Sequence, residues 1–129
     1  MTRGLLDTSV FIARESRGLD AAALPDELAV SIVTYAELRA GVLAATEVPI
    51  RSRRLTALQA VTELNPLPID TGVADHWAVA ITARTDRERI NVNDTWIAAT
   101  AMAHDVAVVT QDADFDALAE LIELHVIHV

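Results

Sequence analysis

Four acidic residues, Asp7, Glu37, Asp94 and Asp112, are the groups in this sequence best placed to do chemistry. Asp7 ends the apolar run Gly4-Leu5-Leu6 and is followed at once by Thr8-Ser9, a pattern that also suits a helix N-cap. Asp112 follows Val106–Val109 through Thr110 and Gln111, at the corresponding strand end, where a loop aspartate is common. Glu37 shares a helical stripe with Ala40, Gly41 and Ala44. Small residues admit a neighbouring backbone, so the stripe sets this carboxylate against other structure, where it needs a partner. The chain has no lysine, which leaves arginine or a metal. Asp94 opens the segment Asn93–Ala103, which is apolar nearly all round and therefore expected to be buried. A helix N-terminus favours an acid, but that does not account for Asp94 sharing the inward stripe of Ile97, Ala98 and Ala101.

Carboxylates brought together repel and raise one another's pKa unless a cation neutralises them. A cluster of oxygen donors without histidine suits Mg²⁺ or Mn²⁺ better than zinc. One or two such ions, about 3.5–4 Å apart where there are two, can activate water and steady the oxygens of a phosphodiester under in-line attack.

The elements that must position these acids can be read from periodicity. Strands are expected at Gly4–Leu6, Leu28–Ile32, Pro66–Ile69, Val106–Val109 and Leu124–Val129. Helices are expected at Thr8–Glu15, Thr34–Ala45, Ile50–Leu64, Thr71–Thr85, Asn93–His104 and Phe115–Leu121, with capping signals at Asp7-Thr8-Ser9, Asp70-Thr71 and Asn93. Strands separated by helices imply an α/β domain with a mostly parallel central sheet and helices on both faces. Sites in such sheets form beyond the carboxyl ends of the strands, where Asp7 and Asp112 fall.

At 129 residues the chain is sized for a single domain spanning 1–129, and 52% apolar residues suffice for a core. The net charge is −9, and all ten basic residues are arginines. Schiff-base, P-loop and lysine-base chemistries are thereby excluded, as is a receiver domain that relies on lysine. With no cysteine there is no disulfide scaffold, thiolate metal site or thiol nucleophile, and a reducing cytoplasm fits best. No apolar run approaches the roughly 18 residues of a membrane span, and Asp7 comes too early for a signal-peptide core. The acidic balance argues against gripping nucleic acid with the whole surface.

Arg51, Arg53 and Arg54 form the densest basic run and Arg84, Arg87 and Arg89 the next. Each is a solvated helix face or a phosphate-contacting rim. Arg39 is either a neighbour of Glu37 or a substrate contact. His76, His104, His125 and His128 lack metal-ligand spacing and are expected to be structural, and Trp77 and Trp96 fit helix packing better than base stacking. Asp112-x-Asp114-x-Asp116 with Glu123 imitates an EF-hand loop, but Ala117 stands where that loop needs glycine. Asp7-Thr8-Ser9 is not the Asp-x-Asp of a haloacid-type phosphatase.

Four segments, Leu6-Asp7-Thr8-Ser9-Val10-Phe11-Ile12, Thr34–Gly41, Asn93–Ala101 and Val108–Phe115, resemble in order and spacing the signatures of PIN-domain toxins of the VapC type. The resemblance covers essentially the whole chain. It implies a PIN-like three-layer sandwich and a Mg²⁺- or Mn²⁺-dependent endoribonuclease that leaves a 3′-hydroxyl and a 5′-phosphate. A VapB-type antitoxin would neutralise it, often by placing a basic side chain in the acidic pocket, and the toxin would form a homodimer. Asp7, Glu37, Asp94 and Asp112 match the family's acidic quartet, with Thr8 and Thr110 as supporting hydroxyls. Relatives differ over which acid of the last segment acts. Asp112 and Asp114 both qualify, and Asp112 lies closer to the strand end.

The expected function is RNA phosphodiester hydrolysis, with Asp7, Asp94 and Asp112 holding metal and Glu37 ligating it or orienting water. The rival is a catalytically weak binding module that acts on DNA through its antitoxin complex. A deoxyribonuclease with the same metal chemistry is a third reading.

Overall fold

In this computed structural model, residues 2–16, 21–83 and 90–129 are described. The strands are β1 (Arg3–Leu6), β2 (Glu27–Val30), β3 (Ala107–Thr110) and β4 (Val126–His128), and the helices are α1 (Thr8–Ser16), α2 (Ile32–Ala44), α3 (Val48–Glu63), α4 (Thr71–Ala83), α5 (Val92–Ala103) and α6 (Asp116–Leu121). The sheet order is β2-β1-β3-β4, and every neighbouring pair is parallel. The expectation of a mostly parallel sheet becomes a wholly parallel one among the described strands.

Alternation along the strands separates two cores. Leu6, Val30 and Val109 face α1, α2 and α3, meeting Phe11, Leu38 and Val61. Leu5 and Val108 face the other way, onto Ile97 and Ala98 of α5 and onto Phe115 and Leu118. Each fully buried Leu, Ile or Phe side chain contributes roughly 1.5–3 kcal/mol of apolar transfer energy, so both faces are needed. Helix α5 lies between the sheet and α4, which explains its apolar circumference: Thr95 and Ile97–Ala101 are all buried. On its far side Trp96 stacks on Trp77 of α4, with ring centroids 4.7 Å apart and planes 12° from parallel, as their reading as packing residues expected. Gly4 is required where β1 is crowded. A Cβ there would stand 2.5 Å from Cγ2 of Val109 and 2.9 Å from Cγ of Pro25.

Several boundaries differ from the periodicity. Pro66–Ile69 is not a strand. Leu67 alone bridges Ser31, accepting from the Ile32 N–H at 2.9 Å and donating to the Val30 carbonyl at 2.8 Å. Pro66 and Pro68 on either side have no N–H to extend the ladder. The strand expected at Leu28–Ile32 ends at Val30, because Ser31 caps α2: its hydroxyl accepts from the Val33 N–H at 3.0 Å. The cap of α5 is Asn91 rather than Asn93, its side-chain oxygen accepting from the Asn93 N–H at 2.8 Å. Asp70 does cap α4, accepting from the Val73 N–H at 2.9 Å. Phe115 precedes α6 instead of opening it.

Candidate active site: a cleft of carboxylates

The carboxyl ends of β1 and β3 lie side by side, and α2 and α5 each bring a first- or second-turn acid toward them. A cleft of about 270 Å³ results, lined by Asp7, Thr8, Ser9, Ile12, Glu37, Asn91, Asp94, Asp112 and Asp114. All four acids singled out from the sequence reach it, together with Asp114 and Thr8.

Asp7 is buried at the end of β1. One of its oxygens accepts from the Ser9 N–H, so it does serve the start of α1 as its spacing suggested. The other accepts the Thr110 hydroxyl at 2.5 Å. Thr110 also accepts from the Asp112 N–H at 3.0 Å, so one hydroxyl at the end of β3 ties Asp7 to the following loop. Burial pushes the Asp7 carboxyl above its ordinary value. The hydrogen bonds from Thr110 and Ser9 oppose that rise, and the nearby Asp112 adds to it.

Glu37 is half-buried on α2, and its Oε1 accepts the Thr8 hydroxyl at 2.7 Å. Of the two partners expected, arginine or a metal, no arginine pairs with it among the described residues, and the Thr8 hydroxyl bonds one of its oxygens. The small-residue stripe also differs from expectation. Ala40 and Ala44 are exposed, and Gly41 lies beside the side chain of Arg54 on α3.

Asp94 stands in the first turn of α5, half-buried. Its carboxyl is pushed up to about 7, first by burial and then by Asp7, Asp114, Glu37 and Asp112. Asp114 outranks Asp112 in its effect on Asp94, whereas Asp112 is the acid felt by Asp7. Both candidates for the last acid line the cleft. Among the described residues no ion pair reaches any of these five acids. Nor do any three acids converge closely enough there to form a ready-made metal cage.

Three lining residues, Ser9, Ile12 and Asn91, are not among the site residues expected from the sequence. Ser9 is buried. Its hydroxyl lies 3.3 Å from that of Thr110 and accepts from the Gln111 N–H at 3.0 Å, so it braces the end of β3. Its place two residues after a strand-end aspartate was the available signal. Asn91 had none beyond its role as a cap.

Among the described residues no arginine lines the cleft. Arg54 donates to the Gly41 carbonyl at 2.6 Å and Arg51 to the Val42 carbonyl at 3.4 Å, both near the C-terminus of α2. Arg39 and Arg53 are exposed. Arg84, Arg87 and Arg89 lie outside the described residues. His128 pairs with Asp116 at 3.0 Å on the surface, and none of the four histidines lines the cleft.

The sequence matches the PIN domain family over residues 4–121. It is 47% identical over 128 residues to Ribonuclease VapC5 of Mycobacterium tuberculosis, covering 98% of this chain and 95% of that protein. The chain belongs to the VapC-type PIN-domain ribonuclease family. Ribonuclease VapC4 of the same organism is 42% identical, with 92% of this chain and 93% of that one covered. The crystal structure of VapBC-5, a member of the VapBC family of toxin–antitoxin systems from Mycobacterium tuberculosis, superposes with a TM-score of 0.88 at 44% identity, covering all of both chains. FitAcB of Neisseria gonorrhoeae gives 0.73 at 28% identity, with 97% of this chain and 96% of that one covered. The sandwich and family expected from the four sequence segments are both found.

Proposed function

We propose that this protein is a divalent-metal-dependent endoribonuclease toxin held inactive by a VapB-type antitoxin. The observation that supports this reading best is the cleft itself. Acids from the ends of β1 and β3 and from α2 and α5 face one space, and no ion pair compensates them among the described residues. The donor set is hard and oxygen-only, and Asp94 is driven toward its neutral form by burial first and then by the neighbouring acids. Both features fit Mg²⁺ or Mn²⁺. Asp7, Asp94 and Asp112 would hold the ion, with Asp114 as the alternative to Asp112 and Glu37 as either a fourth ligand or the group that orients water. When bound, such an ion lowers the pKa of water and offsets charge on the phosphodiester.

The remaining steps belong to the side chains. Thr110 and Ser9 fix the Asp7 carboxylate in one orientation, which limits reorganisation during reaction. Thr8 holds Oε1 of Glu37, leaving its second oxygen to accept a proton from the attacking water. As the new O–P bond forms, the bond from phosphorus to O3′ breaks and O3′ takes up a proton from solvent water, giving a 3′-hydroxyl and a 5′-phosphate. Arg39 and Arg53 are exposed cations available to phosphates of bound RNA, with Arg51 and Arg54 beside them on α3.

The relatives support the partner assignment, since VapBC-5 is a member of a toxin–antitoxin family. The proposal includes the homodimer and the cytoplasmic setting implied by the resemblance. Among the described residues no helix is long and apolar enough to cross a membrane. The test is cleavage of structured RNA by the chain freed of antitoxin, with Mg²⁺ or Mn²⁺ and then with EDTA. Metal-dependent cutting is expected. A tight antitoxin complex and an inert free chain would favour the DNA-acting binding module instead, and equal cutting of DNA would favour a nuclease blind to the 2′-hydroxyl.

A further inference from the structure

A second cavity, of about 280 Å³, opens beside the carboxylate cleft between α1, α2 and α3. It shares Thr8, Ile12 and Glu37 with the cleft, so the two form one continuous depression with Glu37 at the junction. Their surfaces differ in character. The cleft is walled by acids, whereas the second cavity is walled by Leu38, Gly41 and Arg54, and by Ile12, which is 49% exposed. The Arg54 guanidinium is anchored by its 2.6 Å bond to the Gly41 carbonyl. That bond uses one of five N–H donors, and no carboxylate pairs with the group among the described residues.

An apolar wall, an anchored planar cation with donors to spare and an adjacent carboxylate are what recognise a nucleobase rather than bare phosphate. At about 280 Å³ the cavity sits just below the roughly 300–1,000 Å³ of small-molecule pockets. That is room for one nucleoside. We propose that this cavity receives a nucleoside next to the scissile phosphate, with Ile12 and Leu38 packing on the base and Arg54 reading its edge. These residues would then set which RNA sequence is cut. The inference rests on the endoribonuclease reading above and names its specificity subsite.

The test uses the full chain freed of antitoxin, a random-sequence RNA pool with Mn²⁺, and sequencing of the cut ends. Wild-type protein is expected to show an uneven base distribution at one position beside the cut. Gly41→Leu fills the cavity from α2. A Cβ at Gly41 would be 3.7 Å from Cδ of Arg54, an ordinary contact, and leucine suits a helix better than glycine. Arg54→Ala removes the edge contact. Each variant, shown folded by circular dichroism, is expected to flatten the preference at that position by about tenfold, the scale of one good side-chain contact to a base edge. Two folded variants that keep the wild-type preference would overturn this inference alone. Unchanged preference together with weakened antitoxin binding would overturn it too, and would assign the cavity to a protein segment. A wild-type chain that cuts no RNA removes the functional reading, and this inference with it.

Discussion

The Thr110 hydroxyl donates to Oδ2 of Asp7 across 103 residues of sequence, at 2.5 Å. The bond joins the carboxyl ends of two adjacent strands and is buried on both sides. Replacing Thr110 by Val keeps the shape and removes the donor, leaving a buried carboxylate oxygen and the Asp112 N–H without their partner. Loss of one such bond to a charged group should cost about 1.5–3 kcal/mol. Urea denaturation would measure it. Thr110→Ser should restore most of the stability, and a Val variant as stable as the parent would show that the bond contributes nothing net.

Asp94 gives the protein a pH-dependent stability with a definite sign. Its carboxyl titrates near 7 in the fold against 3.8 as the ordinary value. Between these values the unfolded chain gives up a proton that the folded one keeps, so stability falls as pH rises from about 4 to about 7 and is then level. Without metal, thermal melting should therefore occur at lower temperature at pH 8 than at pH 5. Asp94→Asn should reduce that difference, and Mg²⁺ or Mn²⁺ should oppose it in the parent. An unchanged pH slope in the Asn variant would remove Asp94 as the source.

Asp7→Asn should abolish RNA cleavage while the protein stays folded, because the amide keeps the size of the side chain but loses its charge. Calorimetric titration with Mn²⁺ should show weakened binding in the same variant. Full cleavage by Asp7→Asn would overturn the assignment of this residue.

Glu37→Gln keeps an oxygen to accept the Thr8 hydroxyl but cannot take a proton. If Glu37 is the proton acceptor, kcat should fall by about 10²–10⁴ with KM little changed. If it is a metal ligand, the loss should instead be recovered in part at higher Mn²⁺ concentration.

Gly4→Ala tests the packing of the sheet away from the chemistry. The added methyl would meet Val109 and Pro25 inside van der Waals range, and overpacking of this kind costs roughly 1–3 kcal/mol. Chemical denaturation should show the loss, with cleavage per folded molecule retained.

Much of the frame was legible because strands with alternating faces and helices with obvious caps carry local signals. Asp7 and Asp112 could be placed at one sheet edge as soon as β1 and β3 were seen as parallel strands. What local patterns do not carry is the partner chosen across the fold. Glu37 had to be bonded by something, but nothing near it in sequence points to Thr8. The stripe of Ala40, Gly41 and Ala44 suggested burial, yet two of the three lie exposed, because a small residue permits close approach without requiring it. Ser9 was hidden by its usefulness as an ordinary helix-start residue. Pro66–Ile69 had the apolar content of a strand but, with prolines on both sides of Leu67, only one residue free to pair on both sides.

The order of the strands also has a bearing on how the protein is made. β1 leaves the ribosome first but has a finished neighbour on only one side until Ala107–Thr110 has been synthesised. Until then Asp7 lacks its clasp, and the loop bearing Asp112 and Asp114 does not yet exist. A nascent chain that has not yet reached this segment is thus an incomplete machine, and on the proposed reading the cell making it is exposed to the nuclease only after β3 and the loop beyond it have been made.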